Sequence, residues 1–296
     1  MIHARRLAHA TFETPDVERQ IAYHTDILGL TLVERDSEAA YLASTLDHHS
    51  VLIKHGSAAA CLRLSFQIGP NDDLGELARQ LSDLGVASER RSNPFPSVRE
   101  CLSFNDPKGT GIDVFTQYEA ARQDFKNTGI VPNKLGHVAF TVTDIKKMVE
   151  FYTKALGFRI SDWMGDFFVF MRCGPDHHTV NFVQAKSDKL HHIAFELKDW
   201  AHVETACDFL SRHDIRLEWG PGRHGIGHNI FTYHRNPDNQ ITELFTQLDM
   251  MLDENLGYFE PRPWHQDTPQ RPKTWQGGKT NVWGPPPTPD FHRARD

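Results

Sequence analysis

Apolar positions along this chain recur in two periods, and the points where the period changes mark its elements. In LGHVAFTV, from Leu135, side chains alternate between two faces, as in a strand packed on one side. Asp144 then precedes Ile145, Met148, Val149, Tyr152 and Leu156, which share one face of a helix, and Gly157 supplies the stop. A second helical stripe follows at Trp200, Val203, Cys207 and Leu210, with Gly- and Pro-punctuated strands in the intervals.

The same succession is written once before. LAHATFETPDVERQIAYHTDILGLTL, from Leu7, aligns without a gap with LGHVAFTVTDIKKMVEFYTKALGFRI, from Leu135. Leu7, His9, Phe12, Asp16, Thr25, Leu28 and Gly29 recur 128 positions later as Leu135, His137, Phe140, Asp144, Thr153, Leu156 and Gly157. The offset grows to 129 where DHHSV at Asp47 meets DHHTV at Asp176, and to 130 where GIDVFT at Gly111 meets ITELFT at Ile241. Leu74, Leu77, Leu81 and Leu84 give the first copy its second helical stripe. Strands outnumber helices, so an α+β fold is expected, with each sheet covered by helices on one side and concave on the other. The expected division is one domain over residues 1–120, a polar linker near Gln117 to Lys134, and a second domain over 131–250. Residues 251–296 are too rich in proline for regular structure and too rich in tryptophan for a free tail, which predicts an extended arm laid on the surface.

Composition narrows the partners. At 296 residues, 39% of them hydrophobic, the chain can build a core for each domain. A formal charge of -7 argues against nucleic acid and anionic membranes. No apolar run approaches the roughly 18 residues of a membrane helix, and MIHARRLAHATFETPD has no apolar stretch to act as a signal, so a cytoplasmic location is expected. Cys61, Cys101, Cys173 and Cys207 lie far apart and form neither a zinc ribbon nor a disulfide framework.

Chemistry enters with the 18 histidines. His137 and His192 are each followed two places later by alanine, Ala139 and Ala194. On a strand, positions i and i+2 share a face, so each imidazole stands beside a small side chain while Val138, Phe140, Ile193 and Phe195 face the core. Glu243, in QITELFT, interrupts an otherwise apolar strand, and a buried glutamate needs a partner. Two imidazoles and one carboxylate with room beside them suit non-heme Fe(II) and its use of O2. A lone strand histidine is more often a hydrogen-bonded core residue, so the inference rests on the three together.

Their context points to a family. The segments GPDHHTVNFVQAKSDKLHHIAFEL and WGPGRHGIGHNIFTYHRNPDNQITELFT resemble the type I extradiol ring-cleavage dioxygenases of the vicinal oxygen chelate superfamily, and the resemblance extends over residues 5–265. It implies two tandem domains, each of paired βαβββ modules forming a cupped mixed sheet. It also implies Fe(II), with Mn(II) as an alternative, O2 as co-substrate, a catechol as the small-molecule substrate, and assembly as a homo-oligomer. Residue by residue, it makes His137, His192 and Glu243 the metal ligands and His178 the acid-base histidine facing O2. Tyr233 becomes the group that helps deprotonate and hold the catechol, and His224 a donor to a substrate oxygen. His177, beside His178, is expected to point the opposite way on a strand. The alternatives are a glyoxalase-like isomerase or thiol transferase on the same fold, and a metal-free protein that sequesters an aromatic ligand.

The first copy departs from this set. His9 matches His137 and Asp113 matches Glu243, but Arg63 stands at the position of His192, and a guanidinium repels a dication while pairing with Asp113. Ser103 and Pro94 replace Tyr233 and His224, although His49 matches His178. The first domain is therefore expected to be metal-free.

Overall fold

The alternating segments at the head of each copy become central strands, because both of their faces are covered. The computed structural model describes residues 2–44, 47–120, 128–277 and 279–292. Its first sheet contains β1 (Arg6–Thr14), β2 (Thr31–Arg35), β3 (Ala40–Ala43), β4 (Val51–His55), β5 (Ala60–Gln67), β6 (Glu89–Phe95), β7 (Val98–Asn105) and β8 (Gly111–Phe115). The second contains β9 (Lys134–Val142), β10 (Arg159–Met164), β11 (Phe168–Arg172), β12 (Val180–Gln184), β13 (Lys189–Glu196), β14 (Leu217–Arg223), β15 (Ile230–Arg235), β16 (Ile241–Thr246) and β17 (Lys273–Trp275). Four helices, α1 (Val17–Ala22), α2 (Leu74–Asp83), α3 (Ile145–Leu156) and α4 (Trp200–Arg212), each follow the first strand of a βαβββ unit. The linker expected near residues 117–134 falls in part on 121–127, outside the described residues.

Strand order carries the duplication into three dimensions. The first sheet runs β2-β3-β4-β1-β5-β8-β7-β6, and the second runs β10-β11-β12-β9-β13-β16-β15-β14 with β17 added beside β10. Each strand of one sheet thus has its counterpart at the same place in the other. The two units of each sheet meet at an antiparallel seam, β1 with β5 and β9 with β13, whereas β4 lies parallel to β1 and β12 parallel to β9. These are the paired βαβββ modules of the vicinal oxygen chelate fold.

Local sequence explains the helix ends. Asp16, Asp73, Asp144 and Asp199 each cap a helix by accepting a backbone N–H, from Arg19, Gly75, Lys147 and His202 respectively. Gly157 ends α3 at φ 66°, a left-handed value that glycine adopts without strain. The apolar stripes of the helices pack into one continuous core that draws on both sheets. Phe66 meets Phe158 edge to face at 5.4 Å, and the Tyr152 hydroxyl of α3 donates to Asp106 of the first copy at 3.3 Å. Fully buried Phe66, Phe140, Phe158, Phe182 and Phe195 each contribute about 1.5–3 kcal/mol by leaving water.

The Pro/Trp-rich segment after Met251 lies along the second sheet. Its β17 pairs parallel with β10, with Asp162 opposite Lys273. Further along, Gly225 donates to the Lys279 carbonyl and Val282 to that of Arg223. His228, Asp249 and His265 cluster at the arm's root, with Nδ1 of His228 2.7 Å and Nε2 of His265 3.1 Å from the Asp249 carboxylate. The Arg262 N–H donates to Nδ1 of His265, so the proton of His265 sits on Nε2 and points at Asp249. The group is a hydrogen-bonded clamp, and Arg262 beside the same carboxylate opposes a cation there. A chain ending at Asp253 loses the buried rings of Phe259 and Phe291 and should be less stable by at least about 3 kcal/mol. Denaturant titration measures this, and an unchanged midpoint would reduce the arm to a tail.

Candidate metal centre

Backbone register alone brings three of the six candidate residues into one row. On the second sheet Ala194 of β13 pairs with His137 of β9 on one side and with Glu243 of β16 on the other, and Glu243 pairs with Tyr233 of β15. Reading across the strands gives His137, Ala194, Glu243, Tyr233. In the next row Ala139 stands between Asn181 and His192. Each alanine opens the space that a larger side chain would fill. Gly136 does the same at closer range, since a Cβ there would lie 2.3 Å from the Phe245 ring, which packs 5.0 Å from the His137 imidazole.

The three ligand atoms converge. Nε2 of His137 is 3.1 Å from Nε2 of His192 and 3.1 Å from Oε2 of Glu243, and Nε2 of His192 is 3.2 Å from the same oxygen. All three side chains are buried. Bonds of about 2.1 Å to a divalent metal place neighbouring ligands of an octahedral shell about 3 Å apart, so the donor set and its spacing fit such an ion. Burial opposes the charge on Glu243, but His137 and His192 outweigh it and hold the carboxyl well below its usual range. Burial lowers the His137 pKa, against the pull of Glu243. The His137 imidazole is thereby kept in the form that can ligate, and the carboxylate in its charged form.

Outer partners orient these groups. Nδ1 of His192 lies 2.7 Å from Nδ1 of His191, and the Asn229 amide donates to Oε1 of Glu243 at 2.9 Å, leaving Oε2 for the metal. The Tyr233 hydroxyl is 2.9 Å from Nε2 of His224, whose Nδ1 lies 2.6 Å from the Thr280 carbonyl of the arm. A carbonyl only accepts, so Nδ1 of His224 carries the proton and Nε2 accepts from Tyr233. Burial, reinforced by Glu243, pushes the Tyr233 pKa far up, and burial pulls that of His224 down to about 4, so both rest neutral. His178 packs against His137 with ring centres 4.3 Å apart, and burial followed by His137 holds its pKa well below the ordinary histidine value.

All six candidates therefore meet in one cluster. His177 corrects the expectation made for it: the pair precedes β12 instead of lying on it, and Nδ1 of His177 faces Nδ1 of His178 at 3.0 Å. The second nitrogen of His177 reaches Asp162 in the interior. Asn229, His191 and the Thr280 carbonyl had no signal in their own types. Only the GHN and HH strings, read beside their neighbours, hint at two of them.

In the first copy the corresponding row is closed. Arg63 donates to Asp113 at 2.7 Å, and Ser103 occupies the register position of Tyr233 and donates to the same carboxylate. His9 is enclosed by His49, Phe95 and Phe115, and burial drives its pKa well down. Reconstituted protein should accordingly hold one iron per chain by elemental analysis. A reproducible value near two, reduced to one by changing His9, would show a working site in this copy.

A buried two-histidine, one-glutamate centre on paired βαβββ modules defines a class, and residues 134–244 match the Glyoxalase/Bleomycin resistance protein/Dioxygenase superfamily. The match spans the second module, which carries the His137, His192 and Glu243 cluster. Over 95% of its length the chain is 24% identical to the manganese-dependent 2,3-dihydroxybiphenyl 1,2-dioxygenase of Geobacillus genomosp. 3, of which it covers 96%. In fold it is similar to a substrate complex of homoprotocatechuate 2,3-dioxygenase from Brevibacterium fuscum, with a TM-score of 0.82, 23% identity and coverage of 98% of this chain and 92% of that one. It is also similar to the Mn(II)-bound glyoxalase from Novosphingobium aromaticivorans, with a TM-score of 0.80, 24% identity and 99% coverage of both.

Proposed function

We propose that this chain is an extradiol dioxygenase that opens the ring of a catechol with O2 at a single Fe(II) held by His137, His192 and Glu243. The observation that supports it most is the company of that triad: His178, His224 and Tyr233 surround it, and together they can handle the protons of a catechol and of O2. A divalent iron held by His137, His192 and Glu243 would supply Lewis acidity to the catechol oxygens and redox access to O2.

This chain's residues do the rest. Tyr233 gives its own proton to the hydrogen bond with His224, so its oxygen keeps lone pairs for a catechol hydroxyl. The carbonyl of Thr280 fixes His224 in the tautomer this requires. His178, neutral at rest, takes up a proton and returns it when the O–O bond breaks. Phe170, 5.3 Å from the His178 ring, and Trp219, stacked on Tyr233 at 5.5 Å, exclude water beside these groups. Of the two metals used by its relatives, iron is the one proposed; Mn(II) suits the same ligands.

Anaerobic loading with Fe(II), followed by a catechol and then air, tests the reading. One O2 consumed per ring opened, with a yellow product, is expected. Turnover of a thiol adduct of an α-ketoaldehyde without O2 uptake would establish the glyoxalase reading instead, which leaves His178, His224 and Tyr233 without a shared task. We further propose a cytoplasmic homo-oligomer. Four unpaired cysteines suit a reducing compartment. Leu252, Leu256, Trp264, Val282 and Trp283 concentrate exposed apolar surface on the arm, as an interface would.

A further inference from the structure

We propose that Asp162 and His177 are positioning residues that fix the tautomer of His178 and so decide which of its nitrogens is free to take a proton. The proposal rests on the dioxygenase reading of His178. Asp162 lies on β10 and His177 just before β12, distant in sequence from the metal ligands, and both side chains are fully buried. They form a chain: Asp162 Oδ2 is 3.0 Å from His177 Nε2, and His177 Nδ1 is 3.0 Å from His178 Nδ1.

With Asp162 as the carboxylate and both imidazoles neutral, counting protons along the chain leaves one arrangement. Asp162 accepts at both oxygens, from the Lys273 backbone N–H at 2.8 Å through Oδ1 and from His177 through Oδ2. Nε2 of His177 must therefore carry a proton, and a neutral imidazole has only one, so its Nδ1 is a lone pair. The contact between the two Nδ1 atoms needs a hydrogen, which only His178 can supply. Nε2 of His178 is left as the unprotonated nitrogen, and it has no hydrogen-bond partner among the described residues. A proton arriving there leaves the Nδ1–H bond to His177 in place, so His178 can receive and return it without turning its ring.

The surroundings hold the chain still. The His177 backbone donates to the Asp249 carbonyl at 2.8 Å, and the rings of Phe170 and Phe259 lie 5.7 and 4.8 Å from its imidazole. Gly227, at φ 75°, passes so close that a Cβ there would lie 3.2 Å from His177 Nδ1 and 3.4 Å from His178 Cε1. The first copy shows the same chain slackened. His48 and His49 keep the 3.0 Å contact between Nδ1 atoms, but Glu34, at the position of Asp162, is 3.8 Å from His48 and half exposed. The chain is tight and dry only where the metal ligands are complete.

The test uses Asp162→Asn in the full-length protein. An asparagine amide can donate to His177 Nε2, which moves the His177 proton to Nδ1 and that of His178 to Nε2, the reverse of the native arrangement. Metal content and anaerobic binding of 2,3-dihydroxybiphenyl should be retained, KM should change less than about threefold, and kcat should fall by the roughly 10- to 100-fold typical of losing an outer partner. ¹⁵N NMR of the metal-free protein should show the His178 proton on Nδ1 in the native chain and on Nε2 in the variant, and Asp162→Glu should restore part of kcat. Should Asp162→Asn not fold, His177→Phe, which removes the acceptor for His178, should give the same separation of kcat from KM. Native kcat with an unchanged tautomer in Asp162→Asn, alongside an impaired His178→Phe, would overturn the proposal and leave the dioxygenase reading intact. Full turnover in both would remove His178 from the reaction and the proposal with it.

Discussion

His192→Ala should yield a folded protein that keeps no metal after desalting and consumes no O2 with a catechol. The three donors are evenly spaced at 3.1–3.2 Å, so none is a spare, and removing one leaves an imidazole and a carboxylate to hold a labile dication. The loss extends outward, because His191 would face an alanine instead of the imidazole it orients at 2.7 Å. Elemental analysis and an oxygen electrode read the two effects separately. An iron-replete, active His192→Ala protein would sink the assignment of the centre.

His178→Phe should behave differently: metal retained, catechol still bound, and turnover slowed by about 10² to 10⁴, the range for losing a general acid-base group. Phenylalanine suits the site sterically, since Phe170 already lies 5.3 Å from the ring it replaces. What disappears is the nitrogen that accepts and returns a proton. Single-turnover kinetics should place the delay after anaerobic substrate binding, and an unchanged kcat would free His178 from any part in the chemistry.

Much of this was legible in the sequence because a β-sheet turns spacing into position. The i, i+2 relation of His137 to Ala139 and of His192 to Ala194 sets which face each imidazole takes, and the internal duplication sets Arg63 against Asp113. Helix ends followed from Asp144 and Gly157 for equally local reasons. What escaped was carried by backbone or by long separations. Thr280 acts through its carbonyl, which no side-chain pattern marks. Asn229, just ahead of β15, reaches Glu243 on the neighbouring β16. Strand alternation would turn His177 away from its neighbour. The backbone instead bends before β12, held by the Asp249 carbonyl, and carries its imidazole in toward Asp162.

The pairing of β17 with β10 has a consequence outside catalysis. A strand at the margin of a sheet presents unpaired N–H and C=O groups that can recruit a strand from another molecule, and proteins guard such margins with charges or cover. The two modules do so differently. β2 ends in Glu34 and Arg35, both at the surface, so charge discourages an incoming strand. Its counterpart β10 reads RISDWM, with Ile160, Trp163 and Met164 along a margin that would be adhesive if bare. The arm occupies that margin with a strand of the same chain, so trimming it would create a template for self-association in the half of the protein that carries the candidate metal centre.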